Sequence, residues 1–352
     1  MPGMDGAALL KVVRDKHPGI LRIILSTHSE SEAAFHAVPV AHQFLVKPCG
    51  QESLRSAIDR ASRLNEVLNS KMLASVVGSI QQLPSLPKMC LDLQQALADP
   101  DVSVSRIAKI VESDTAMSAK VLQLANSAFC GAARKVSDIQ TAIGYLGINI
   151  LQSLVLSAEM FRAFRPSHPI NGFSLEEHQA HSQLTAKITK EVAGNSVITG
   201  VGLIAGLLHD VGKLVLAEAT PKHFANAIKR ATEEKRPLFE VEEELTGVSH
   251  AEVGAYLLSL WGIPYVIIEA VAHHHHPERV HHDKLDLLSS VYFANWLAHE
   301  QSDPKSEDAG ISTSPLDPEI VAQLSAEDRM TEWRAAADSA ALELSAAGGA
   351  KK

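Results

Sequence analysis

The run LIAGLLHDVGKLVL, residues 203–216, places an imidazole and a carboxylate side by side inside an otherwise apolar stretch. An apolar helix does not ordinarily carry such a pair just ahead of a Val-Gly-Lys step. His209 and Asp210 together suit one metal ion gripped from two directions, an imidazole nitrogen on one side and a carboxylate oxygen on the other. Further histidines recur along the chain: His181 in HQAHSQ, His250 in GVSHAEVGAYLLSLWGIP, and His273 to His276 in VAHHHHPE.

Composition bounds what such a chain does. At 352 residues it is long enough for about two domains. Hydrophobic residues make up 46% and aromatics only 5%, and the abundance of Ala and Leu favours helices with small-residue contacts. The 32 Lys and Arg against 41 Asp and Glu leave a formal charge of −9, the wrong sign for non-specific binding to nucleic acid. Three scattered cysteines, Cys49, Cys90 and Cys130, fit neither a zinc spacing nor a disulfide framework, which points to a reducing cytoplasm. No run of about 18 apolar residues and no secretory signal pattern occurs, so a soluble cytoplasmic protein without a membrane partner is expected.

Residues 1–64 read as an α/β segment. ALLKVVRDKH forms a helix, LRIILSTHS a buried parallel strand, SEAAFHAV a second helix and HQFLVKPCG a second strand, followed by an amphipathic helix that begins beside Gly50. MPGMDG (residues 1–6), Ser26 at the end of the first strand and Lys47-Pro48 after the second resemble the C-terminal part of a response-regulator receiver domain. The resemblance implies that Lys47 and Pro48 match a family Lys-Pro whose peptide bond is often cis. It also implies a phospho-acceptor Asp and an acidic metal pair ahead of Met1, so the segment as written lacks the groups that take up phosphate. The expectation is that the natural protein has a full receiver there.

The helix after Lys47-Pro48 runs on as a link over 65–79. Its Leu64, Val67, Leu68 and Leu73 either extend the core or pair with a second copy of the chain, and the core reading is favoured because the pattern lasts too few heptads. Residues 80–165 read as helical throughout. Asp101 or Ser103 caps a helix starting near Val104, and Asp114 caps the next, which carries Met117, Val121 and Leu124. The stretch could pass for a helix-turn-helix, but its second helix has Lys120 and few other long polar side chains to meet base edges. LPSLP, the D-x-x-x-S-x-K-x-L-x-x-A-N-S run from Asp114 and AIGYLGINILQSLVLS closely resemble the N-terminal half of HDOD domains. Gly144 and Gly147 are read as turn or close-contact positions. Beyond about residue 301 a Ser-, Asp- and Pro-rich linker leads to short amphipathic helices around VAQLSAEDRM and EWRAAADSAALEL and a disordered SAAGGAKK end.

The histidine order resembles the HD superfamily of metal-dependent phosphohydrolases, and its flanks resemble the HDOD branch. The expected fold is therefore mainly α: an all-helical HDOD domain over 80–300, divided into an N-terminal half to 170 and an HD-like half from 171, behind the truncated receiver fragment. The resemblance implies His181 as the first ligand, His209 and Asp210 as the central pair and His250 as the additional histidine. His274 and His275 align as the paired positions beside Pro277-Glu278. At most two of the four consecutive histidines face one pocket, given roughly 100° of rotation per helical residue. Asn295 stands where the family keeps a late Asp. Its amide oxygen ligates more weakly and carries no charge, and Glu300 lies about a turn further on. Lys213 matches a family cation near the phosphate. No Gly-Tyr-Pro signature follows the histidine run, which sets the chain apart from the cyclic-di-GMP phosphodiesterases. The implied cofactor is a divalent transition metal, iron, manganese, nickel or zinc. The expected role is a bacterial signal-transduction output module acting on a protein partner. The alternative is a metal-dependent phosphohydrolase, with Lys213 stabilising charge at a phosphorus centre.

Overall fold

The structure is a computed structural model that describes residues 88–97, 99, 102–125, 136–163, 169–194, 199–260, 263–301 and 314–349, with scattered positions between 9 and 73. Two short strands, β1 (Ile23–Ser26) and β2 (Gln43–Val46), pair in parallel with Ile23 opposite Gln43 and Ser26 opposite Val46. Both were expected, the first from its β-branched run and the second as the short stretch before Lys47-Pro48. Ser26 closes β1 and Lys47 is exposed after β2, while MPGMDG, Pro48, Leu64 and Leu68 lie outside the described residues. The linker residue Leu73 is fully buried and Val67 packs against the same cluster, so these two belong to a core.

The rest is helical. The N-terminal half comprises α1 (Lys88–Leu97), α2 (Val104–Glu112), α3 (Thr115–Ala125), α4 (Ile139–Leu146) and α5 (Ile148–Ala163). Ser103 caps α2 by accepting the Arg106 amide, and Asp114 caps α3 by accepting the Met117 amide at 2.8 Å, so short polar side chains satisfy first-turn donors at both sites. Met117 and Val121 of α3 are fully buried, which commits that face to packing. Gly147 ends α4 at φ +78°, a conformation L side chains rarely adopt. Gly144 differs from expectation: it lies within α4 with open space around it and makes no close contact.

The second half comprises α6 (Leu175–Ala193), α7 (Thr199–Leu208), α8 (Val211–Ala219), α9 (Pro221–Glu234), α10 (Leu238–Thr246), α11 (His250–Leu260), α12 (Tyr265–His273), a 3₁₀ turn (Pro277–Arg279) and α13 (Leu287–Glu300). Helix α7 packs on α6 and α13 and also reaches α5, joining the halves. One contiguous cluster of buried apolar side chains runs from Leu73 and Val121 through Val155 to Leu208, Val253 and Val291. Among the described residues no helix is long and apolar enough to cross a membrane.

The C-terminal segment departs from expectation. VAQLSAEDRM is not one helix: α14 (Pro318–Gln323) stops, Ser325 takes a left-handed φ of 49°, and α15 begins at Glu327. Helix α15 then runs 23 residues to Gly349, through most of the stretch expected to be disordered. The reason is packing. Trp333 is 1% exposed and joins Ile188, Val192, Phe293 and Leu297 in a second buried cluster, its ring 5.2 Å from that of Phe293. Burying an indole extends the short helix expected around EWRAAADSAALEL into one continuous helix. Trp333→Ala is expected to lower the unfolding free energy by about 3–5 kcal/mol. Urea unfolding checks this, and a change below about 1 kcal/mol would remove α15 from the core.

Candidate metal centre

The centre is built where helices are forced close. Gly206 of α7 sits against α6 so tightly that a Cβ there would lie 2.5 Å from the Ala186 Cα. At Gly212 of α8 a Cβ would lie 1.8 Å from the His250 carbonyl oxygen and 2.8 Å from the Gly254 nitrogen. Only glycine allows either approach. The first brings the α7–α8 corner to His181 on α6, and the second brings it to His250 at the start of α11. The Gly of the Val-Gly-Lys step is thus a packing requirement.

Asp210 occupies the N-cap position of α8 but makes no side-chain cap bond. Its carboxylate is 1% exposed and points into the centre instead, with Lys213 Nζ 2.6 Å from Oδ2. Four imidazoles converge on it. His209 Nε2 lies 3.3 Å and His181 Nε2 3.9 Å from Oδ2, while His250 Nε2 lies 3.1 Å and His274 Nε2 3.4 Å from Oδ1. His275 Nε2 is 3.0 Å from His250 Nε2. Two donor sets result that share Asp210: His181 and His209 with Oδ2, and His250, His274 and His275 on the other side. In each set the donor atoms lie within 4.8 Å of one another.

The backbone fixes which nitrogen each ring presents. His209 donates Nδ1–H to the Gly206 carbonyl at 2.8 Å, and His274 does the same to the Val271 carbonyl at 2.8 Å. A carbonyl only accepts, so the proton is on Nδ1 and the Nε2 lone pair faces Asp210. Among the described residues His209 Nε2 and His274 Nε2 are buried without a hydrogen-bond partner. Orphaned polar atoms of this kind cost about 1–3 kcal/mol each unless something meets them. Two imidazole lone pairs that converge on a carboxylate, with no proton on either, fit a cation.

His250 is held differently. Glu242, 3% exposed on α10, accepts both the His250 backbone amide at 2.8 Å and its Nδ1–H at 2.6 Å. One carboxylate therefore caps α11 and orients the ring, the carboxylate–histidine arrangement that supports ligating histidines. Of the four consecutive histidines, His274 and His275 face the centre from the end of α12. His276 turns out toward Glu243 at 3.5 Å and Glu278 at 3.0 Å. Phe239 stacks on His275 with ring centroids 4.2 Å apart and closes that side. Asn295 comes in from α13 with Oδ1 2.9 Å from His181 Nε2, while Glu300 is taken by Arg334 at 3.0 Å.

Three residues of the site escape sequence reasoning. Glu242 sits eight residues before His250 on another helix, with no motif joining them. His178, 2% exposed, lies one turn before His181 on α6. His299 lies one turn after Asn295, its ring centroid 4.5 Å from that of His181. The signal for the last two was the i, i+3 and i, i+4 spacing from a ligand position, which places them on the same helix face.

Electrostatics follow burial and neighbours. Burial works against the Asp210 carboxylate, but His209 and Lys213 outweigh it and hold the group well below the usual carboxylate range. Burial pushes the imidazoles of His178 and His299 down to about 3 and of His274 to about 4, and drives His181 and His275 well below 6.5. These rings are neutral donors at physiological pH. Burial also opposes charge on His250, yet the Glu242 carboxylate and the hydrogen bond to Asp210 raise it to about 9 in the metal-free protein, so a cation at this ring displaces a proton. Burial lifts the Cys90 thiol to about 12, which leaves it inert.

The family-model comparison matches the HDOD domain over residues 83–277, more than half of the chain. The chain belongs to the HDOD family. A solved HDOD-domain protein of unknown function from Geobacter sulfurreducens shares 26% identity and a TM-score of 0.57, over 79% of this chain and 98% of that one. A structure from Shewanella amazonensis SB2B, provisionally named a phosphohydrolase, shares 22% identity with a TM-score of 0.57 over 79% of this chain and 99% of that one. At that identity the likeness shows the fold alone. Among curated proteins, an uncharacterized protein of Treponema pallidum (strain Nichols) is 28% identical over 226 residues, 64% of this chain and 44% of its own length. The DNA-binding transcriptional regulator NtrC of Klebsiella pneumoniae is 42% identical over 62 residues, 17% of this chain and 13% of its own. The chain spans less than half the length of the curated relatives it matches.

The titration pattern carries a stability signature for the chelator-treated protein. His178, His274 and His299 bind protons near 6.5 when unfolded but only near 3–4 when folded, so unfolding takes up protons and stability falls as pH drops below about 6.5. His250 acts oppositely: its raised value contributes stability below about 6.5 that is lost as pH climbs to about 9. Tm is expected to peak near pH 6.5–7 and to fall by about 5–10 °C by pH 5. Scanning calorimetry across pH checks it, and a Tm that rises steadily into acid would contradict the buried neutral imidazoles.

Proposed function

We propose that this HDOD protein is a signal-transduction output module whose His/Asp centre holds a divalent transition metal and fixes how the surrounding helices pack. Asp210, His250, His274 and His275 form the fuller donor set, with three imidazoles and one carboxylate, a combination that suits iron, manganese, nickel or zinc. The observation that carries the reading is the pair of tethers on the other side. Lys213 is held on Asp210 at 2.6 Å and His181 on Asn295 at 2.9 Å. The cation that would stabilise charge on a phosphoryl group is spent within the centre, and the late ligand carries no charge.

The donors come from α6, α11, the end of α12 and the α7–α8 corner, and α7 also packs on α5 of the N-terminal half. Metal occupancy would therefore bear on helix packing in both halves, a route by which state could pass to a protein partner. The α/β segment with β1 and β2 supports a response-regulator arrangement, in which a receiver feeds the helical module. The acidic balance gives no support to nucleic acid, and no membrane partner is proposed. The second reading, a metal-dependent phosphohydrolase, draws its support from the two donor sets that share Asp210, an arrangement suited to two ions close together. A metal there would supply Lewis-acid polarisation, with Lys213 and the imidazoles positioning the phosphoryl oxygens.

Elemental analysis of the purified protein is expected to find a transition metal that Asp210→Ala with His250→Ala removes. Loaded protein should hydrolyse bis(p-nitrophenyl) phosphate no faster than buffer. Its amides in α7 and α5 should exchange more slowly than after chelation. Equal metal in both proteins would overturn the centre, and metal-dependent turnover lost in the double variant would install the phosphohydrolase reading in place of the module.

A further inference from the structure

The first donor set, His181 and His209 with Asp210, has three protein donors where the second has four. The helix that would complete it is α13, whose Asn295 reaches His181 but brings an uncharged amide. One turn on, at i+4, the same face of α13 carries His299. Its ring lies with centroid 4.5 Å from the His181 ring, inclined at 39°. It is half-buried beside the centre, in the electrostatic reach of Asp210, Lys213, His209 and His274. Glu300, the neighbouring carboxylate, is engaged by Arg334 through both of its oxygens, at 3.0 and 3.2 Å, and so does not fill the gap.

We propose that His299 is the fourth protein donor of the His181–His209–Asp210 set, supplying from one turn further along α13 the ligand that Asn295 does not provide as a carboxylate. The inference rests on the metal-centre reading above. It makes the protein a two-ion binder whose first position has three imidazoles and one shared carboxylate. With so little negative charge, that position should favour the more imidazole-tolerant metals over magnesium or calcium.

The test is a titration of the chelated full chain with Mn²⁺ and with Zn²⁺, read by calorimetry for stoichiometry and by manganese electron paramagnetic resonance for coupling between two bound ions. The wild type is expected to bind two ions per chain. His299→Ala should keep one and bind the other on the order of tenfold or more weakly, with the spin-coupled signal lost. His299→Ala combined with Asn295→Asp should restore the second ion. His250→Ala should instead weaken the other position and leave the His299-dependent one. Two ions bound with unchanged affinity in His299→Ala would overturn the proposal, as would a wild type that binds a single ion sensitive to His250→Ala, and both leave the metal centre standing. A wild type that binds no ion would overturn the metal-centre reading itself and this proposal with it.

Discussion

A carboxylate 1% exposed in the middle of a helical core is the constraint on which the rest of this molecule depends. An isolated charge at that depth is costly by several kcal/mol at least. Asp210 is tolerated because Lys213 meets one oxygen and four imidazoles surround the pair. That surrounding cannot be assembled from one stretch of chain. It needs α6, α11 and the end of α12 pressed against the α7–α8 corner, and the glycine contacts at 206 and 212 are what allow that spacing. The helical framework is in this sense arranged around one acidic group. Asp210 even forgoes the N-cap bond its position offers in order to face inward.

Compensation among the imidazoles is divided unevenly. On one side Glu242 adds a second buried carboxylate, which holds His250 by two bonds and raises its proton affinity. On the other side the partners are neutral: Asn295 at 2.9 Å and the ring of His299. The two halves of the centre are therefore chemically distinct although they share one aspartate.

Much of this was legible in the sequence because it is local. The short strands at 23–26 and 43–46, the Ser103 and Asp114 caps and the His209-Asp210 dipeptide announce themselves within a few residues. The family resemblance, aligned on Pro277-Glu278, picked out His274 and His275 among the four histidines, and these two face Asp210 and His250. What was not legible depends on distance in the chain. Glu242 reaches His250 across a helix boundary, and His299 reaches His181 from another helix altogether. Gly144 shows the converse, a glycine that suggests a close contact and has none. Helix α15 was legible around EWRAAADSAALEL, but its length was not: the added order comes from burying Trp333 against α6 and α13, which no local pattern encodes.

The account stands or falls on whether the imidazoles around Asp210 hold an ion. X-ray absorption at the metal edge of the loaded protein measures this directly. The predicted first shell is nitrogen and oxygen at about 2.0–2.2 Å, with the outer-shell scattering of at least three imidazoles, and it should collapse in Asp210→Asn. A shell of oxygen alone, or one unaltered by that substitution, would contradict it.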